Sequence, residues 1–174
     1  MKRLLVTLLM CVALVPVARA DFSQGVAAYA RGDYDTAAKV MISLAEGTDH
    51  PYAELWLGTM YAKGQGVKQD YEQAAKWLRS AAEKGIAAAQ YKLGIMYSIG
   101  QGVPEDMEYA YAWLSVSGKQ GHKNAASALA TVEGKLSSQE MVEAKKLAAE
   151  YIQKYGTPPK LEPEGVDKPI NIKN

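Results

Sequence analysis

Cysteine is almost missing from this chain: 174 residues hold one, Cys11. It lies in an apolar stretch that reads as a cleaved leader, so the mature chain would have neither a disulfide nor a cysteine-based zinc site. Met10 before it is not the small residue a lipoprotein site needs. Histidine is nearly as scarce. His50 and His122 are the only two, 72 residues apart. Two repeats of helices spaced near 10 Å would separate them by about 20 Å, too far to share a metal, so cap or surface roles are expected. Neither a G-x-S-x-G elbow nor a Walker motif occurs, and no serine–lysine signature supports β-lactam chemistry. No catalytic residue, cofactor site or metal site is read from the sequence. Charge of one sign is also missing, with 20 basic against 19 acidic side chains. Without Lys2, Arg3 and Arg19 the balance is 17 − 19 = −2. A near-neutral chain with no basic block argues against nucleic acid or an anionic membrane as partner.

Long apolar runs are limited to the segment from Leu4 to Val15, shorter than the roughly 20 residues that span a bilayer. It follows Lys2-Arg3 and precedes Ala18-Arg19-Ala20, an arrangement expected of a signal peptide (1–20) cleaved before Asp21. The expected location is periplasmic or secreted, with no transmembrane segment after cleavage.

The chain does have an internal repeat. Residues 52–85 and 88–121 align at an offset of 36, with 15 of 34 positions identical. The identities include Ala53/Ala89, Leu57-Gly58/Leu93-Gly94, Met60-Tyr61/Met96-Tyr97, Gly64-Gln65-Gly66-Val67/Gly100-Gln101-Gly102-Val103, Asp70/Asp106 and Trp77-Leu78/Trp113-Leu114. A fixed period of this size marks a solenoid. Ala53, Leu57, Met60 and Tyr61 fall on one helical stripe. Gly58 and Gly94 sit within that stripe, where a glycine implies close approach of a neighbouring helix. Gly64 and Gly66 stop the helix, Asp70 and Asp106 read as N-caps of the next one, and Gln73 stands at capping-box spacing from Asp70. Gly-Gln-Gly is thus a helix–helix turn; a phosphate loop would need a preceding strand.

These residues resemble the Sel-one-like repeat (SLR) family, a relative of the tetratricopeptide repeat. The resemblance implies an all-α fold, a right-handed α-solenoid of antiparallel helix pairs with a concave ligand face, and a role as adaptor or scaffold. About eight helices are expected from Asp21 to about Tyr155. Residues 21–50 read as a degenerate first repeat, since Asp33-Tyr34-Asp35-Thr36-Ala37-Ala38-Lys39 aligns with Asp70-Tyr71-Glu72-Gln73-Ala74-Ala75-Lys76. Repeats at 51–86 and 87–122 follow, then a degenerate capping repeat at 123–155, opened by the Ser137/Glu140 capping box. Residues 156–174 hold four prolines and read as a disordered tail.

Positions that differ between the copies are the candidates for contact. On the first helices the differing set is Leu55/Tyr91, Trp56/Lys92, Thr59/Ile95 and Lys63/Ile99. The candidates drawn from it are Trp56, Thr59, Lys63, Tyr91, Lys92, Ile95 and Ile99, with Trp56 the aromatic anchor or else packed on the first repeat. Acidic residues lie mostly at caps and exposed helical positions, where a solvated or capping role is the default. The expected function is an exported, non-enzymatic protein–protein adaptor holding a peptide or partner domain on its concave face. A cell-wall or glycan-binding module is the alternative, and a β-lactam-related hydrolase the remoter one.

Overall fold

The computed structural model describes residues 21–159. The expected signal peptide, 1–20, lies outside the described residues. Within them every regular element is helical, and there are eight: α1 (Phe22–Ala30), α2 (Tyr34–Gly47), α3 (Pro51–Lys63), α4 (Tyr71–Glu83), α5 (Ala87–Ile99), α6 (Met107–Lys119), α7 (Ala125–Glu133) and α8 (Ser138–Tyr155).

Helix starts follow the aspartates. Asp33, Asp70 and Asp106 each accept the N–H three residues on, from Thr36, Gln73 and Tyr109. This satisfies amides that have no carbonyl partner in the first turn. The Asp70 N–H is bonded to Tyr61 O, so it is not free for a capping box with Gln73. At Ser137 and Glu140 both halves of the box are present.

The glycines set the packing distances. A Cβ on Gly58 would stand 2.8 Å from Leu78 Cγ and 3.0 Å from Ala74 O, and one on Gly94 would meet Leu114 Cγ at 2.7 Å. The two helices of a pair therefore touch at these points, as the sequence implied. The loop glycines do something the sequence did not disclose. Gly66 has φ +67° and a Cβ there would lie 2.0 Å from Tyr34 O. Gly102 has φ +69° and would meet Tyr71 O at the same distance. Each loop thus rests on the start of the second helix in the preceding pair, so the glycine shapes the turn and joins the repeats.

Three pairs, α1–α2, α3–α4 and α5–α6, stack in sequence, with α2 against α3 and α4 against α5. Their interior is built from small and flexible side chains. Ala53, Leu57 and Met60 are buried with Met41 in an N-terminal cluster, and Ala89, Leu93 and Leu114 with Leu78 in a central one. Burying each Leu or Met contributes roughly 1.5–3 kcal/mol, and the alanines let the helix axes approach.

The C-terminal end departs from pairing. α7 is short and packs on α6, while the 18-residue α8 lies along α6 rather than closing on α7. Tyr151 and Tyr155 of α8 cover Trp113, at ring distances of 4.8 and 5.2 Å. Tyr155 O then accepts from Gln90 Nε2 of α5 at 2.9 Å. The tail begins in contact with the array, since a Cβ on Gly85 would lie 2.1 Å from Thr157 O. The rest of the expected disordered tail, 160–174, lies outside the described residues.

Candidate functional site

The first helices of the pairs, α1, α3 and α5, share one side of the array with α7, and their composition is unlike that of the second helices. α1 carries no charged residue, and α5 carries only Lys92. The acids on this series are Glu54 and Glu133. Glu54 is 1% exposed and turned towards α4, where its Oε1 accepts from Ser80 Oγ at 2.7 Å and from Lys84 Nζ. Glu133 acts on Tyr111 of α6. Among the described residues the second helices and α8 hold most of the remaining carboxylates. Charge is therefore sorted by side even though the chain is near neutral.

Between α5 and α7 runs a groove of about 430 Å³. Tyr91, Ile95 and Ile99 form its α5 wall, and Ala128, Thr131 and Val132 its α7 wall. Ile99 is 57% exposed, among the most exposed large apolar side chains of the described residues. Tyr91 is half-buried and stacks on His122 at 4.4 Å, which fixes its ring at the groove entrance. Three of the seven candidate residues are thus brought into one concavity.

The others are placed differently. Lys92 is half-buried on the same stripe of α5 as Ile95 and Ile99, at helical i, i+3, i+7 spacing. Burial pulls its ammonium below the usual lysine range, and the charge of Lys63 at the end of α3 adds to that. Lys63 itself is exposed. Thr59 donates to Leu55 O of its own helix at 2.8 Å. Trp56 packs against Tyr29 of α1, with ring centroids 4.6 Å apart and planes at 74°. This is the packing role on the first repeat that the sequence offered as the alternative to an anchor. The ring remains half-buried at the edge of the N-terminal cluster.

The histidines separate too. His50 Nδ1 accepts the Ala53 N–H at 3.2 Å and so caps α3. His122 caps nothing with its side chain, and its Nδ1 is buried without a hydrogen-bond partner. Burial holds both imidazoles below their ordinary pKa, and at His122 Lys123 and Lys92 push further the same way. Among the described residues no three His, Cys, Asp or Glu side chains gather where they could hold a metal ion. No helix among them is long and apolar enough to cross a membrane.

Glu54 is the residue that sequence reasoning did not single out. It is an exception to the expectation that acids lie mostly at caps or exposed positions, and it is buried because the position faces α4. Gln90, its counterpart in the next repeat, is 0% exposed. The signal was present in the sequence: Glu54/Lys84 become Gln90/Gln120, a joint change at the same spacing of 30 residues.

Comparison with known proteins agrees with this architecture. The Sel1 repeat model matches residues 51–86 and 87–122. No curated protein matches the chain. Among solved structures, a Sel1 repeat protein from Oxalobacter formigenes is 34% identical, with a TM-score of 0.56, over 64% of this chain and 90% of its own. A protective antigen present in uropathogenic Escherichia coli strains, displaying an SLR fold, is 30% identical with a TM-score of 0.73. It aligns with 78% of this chain, which spans only 30% of the antigen's length. With two matched repeats, and a Sel1 relative aligned over nearly its whole length, the chain belongs to the Sel1 repeat family.

Proposed function

We propose that the protein is an exported, non-enzymatic adaptor that holds a peptide or partner domain on the side formed by α1, α3, α5 and α7. Sel1 repeats are an interaction scaffold, and both solved relatives share the repeat fold. The observation that carries the reading is the groove between α5 and α7, where Ile99 is exposed and Ile95 half-buried in a concavity open to an extended chain. Apolar side chains left at the surface of a concavity are what a partner covers. Export rests on the basic start, the apolar core and the Ala18-Arg19-Ala20 site of the sequence.

Peptide is favoured over glycan because sugar binding uses open aromatic faces. Tyr91 is already stacked on His122, and Trp56 is engaged by Tyr29.

The test is cross-linked capture from envelope extract by residues 21–174, run beside Ile95→Asp and, as control, Lys146→Glu on α8. A partner retained by the control and lost with Ile95→Asp supports the reading. Equal capture by all three removes the groove from it. Sequencing the amino terminus of the protein recovered from the periplasm should give Asp21, and recovery only from cytoplasm with Met1 intact would reject export.

A further inference from the structure

Lys92 is a charge the fold does not explain among the described residues. It is half-buried, yet it forms no ion pair among the described residues, where both ion pairs belong to Lys84, with Asp49 and Glu54. The charge among the described residues that acts on it is that of Lys63, which is like-signed. Among the described residues no nearby element supplies a carboxylate. α1 and α5 have none, Glu54 faces Ser80 and Lys84, Glu133 faces Tyr111, Asp70 caps α4, and Asp49 is bonded to Lys84. A desolvated ammonium beside a second ammonium destabilises the free protein, and an incoming carboxylate relieves it. Lys123 extends the positive end towards α7, where the buried His122 is held in its neutral form, and Lys135 lines the far part of the groove. Three residues along the same stripe from Lys92 begins the apolar wall of Ile95 and Ile99.

We propose that this groove and the stripe of α5 beside it take an extended acidic peptide, one whose carboxylate meets Lys92 next to the groove while a neighbouring aliphatic side chain lies on Ile95 and Ile99. The inference rests on the peptide-adaptor reading above and adds the chemistry of the occupant. Charge complementarity selects the acid, and the apolar wall selects the residue beside it. A phosphate group or a sugar would use the cations alone and leave the isoleucines uncovered.

The experiment is selection of a random twelve-residue peptide library on immobilised 21–174, a segment that contains the whole described core. It is followed by affinity measurement of the enriched peptides on wild type, Lys92→Gln and Ile95→Asp. Circular dichroism melts show whether the variants fold, and Lys92→Gln should melt no lower than wild type because it removes an unpaired, desolvated charge. The expected result is enrichment of Asp, Glu or a free C-terminal carboxylate next to Leu, Ile or Val. Lys92→Gln should then weaken binding roughly tenfold or more, as loss of a charged hydrogen bond does, and Ile95→Asp should abolish it. Peptides without an acidic preference, or acidic ones that bind Lys92→Gln as tightly as wild type, would overturn the inference. If those peptides still fail on Ile95→Asp, the groove reading survives. No enrichment at all, or peptides indifferent to Ile95→Asp, would overturn the groove reading together with the inference.

Discussion

Lys84 is bonded to Glu54 across a spacing of 30 residues, and Gln120 is bonded to Gln90 across the same spacing one repeat later. The same buried place is thus filled by an ion pair in one repeat and by an amide pair in the next. Removing one partner of a buried pair strands the other, at a cost of about 3–5 kcal/mol in full burial. Lys84 keeps a quarter of its side chain in solvent, so roughly 2–3 kcal/mol is expected for Lys84→Gln. The double change Glu54→Gln with Lys84→Gln should recover most of that loss, because it copies the arrangement the second repeat already uses. Urea denaturation of the two single variants and the double variant measures the coupling. A double variant as unstable as the sum of the singles would show that the two sites are not interchangeable.

Alkaline pH should destabilise the array, through two groups whose pKa is raised on folding. Burial pushes the Lys84 pKa down, but its hydrogen bonds to Asp49 and Glu54 outweigh that and leave it raised. The stability it contributes is fully present below its ordinary value of 10.5 and is lost as pH rises through the folded value. Tyr151 is pushed up to about 12, first by burial and then by Tyr109 and its other neighbours. Its folded form therefore favours the neutral phenol, and stability falls from pH 10.0, where the unfolded residue ionises, to about 12. Melting temperature followed from pH 9 to 12 should decline over this window, and Tyr151→Phe should make the decline shallower. An unchanged slope in that variant would assign the alkaline loss elsewhere.

The loop glycines predict a graded series. Gly121 has φ +83° with nothing within 4 Å of where a Cβ would stand, so Gly121→Ala should cost only the left-handed backbone penalty of about 1–2 kcal/mol. Gly66→Ala and Gly102→Ala add a backbone collision at 2.0 Å, which only separation of the repeats can relieve. These should each cost upwards of about 3 kcal/mol. Equal losses at all three sites in thermal denaturation would mean that the inter-repeat contact contributes nothing.

Much of this fold was legible because identity between the copies reports what every repeat needs. Leu57/Leu93, Gly58/Gly94 and Asp70/Asp106 are core, contact and cap, as their types and spacing implied. The converse rule, that differing positions are free for contacts, was less reliable. Glu54/Gln90 differ and are buried, because a pair can change together and keep its bond. Trp56 differs from Lys92 because the unit before it brings Tyr29, an aromatic neighbour specific to that interface. The groove itself depends on α7, whose sequence leaves the repeat pattern, so only its α5 wall could be anticipated.

Trp77 and Trp113 are the same repeat position, and the path of α8 makes them energetically unequal. Trp113 is 2% exposed beneath Tyr151 and Tyr155, whereas Trp77 is half-buried. Trp113→Ala should cost about 3–5 kcal/mol, the range for a fully buried tryptophan, and Trp77→Ala roughly half as much. The inequality should vanish when α8 is cut short. In a chain ending at Glu150, Tyr151 and Tyr155 are gone, one face of Trp113 meets water, and its replacement by alanine should cost little more than that of Trp77. Residues in direct contact do not contribute additively, so the difference between the two backgrounds reads the coupling of α8 to the second repeat. Tryptophan emission supplies an independent check, since the truncated chain should shift to the red while a Trp113→Phe variant of it should not. If truncation leaves the cost of Trp113→Ala unchanged, the tryptophan is held by its own repeat and α8 is only a passive cover.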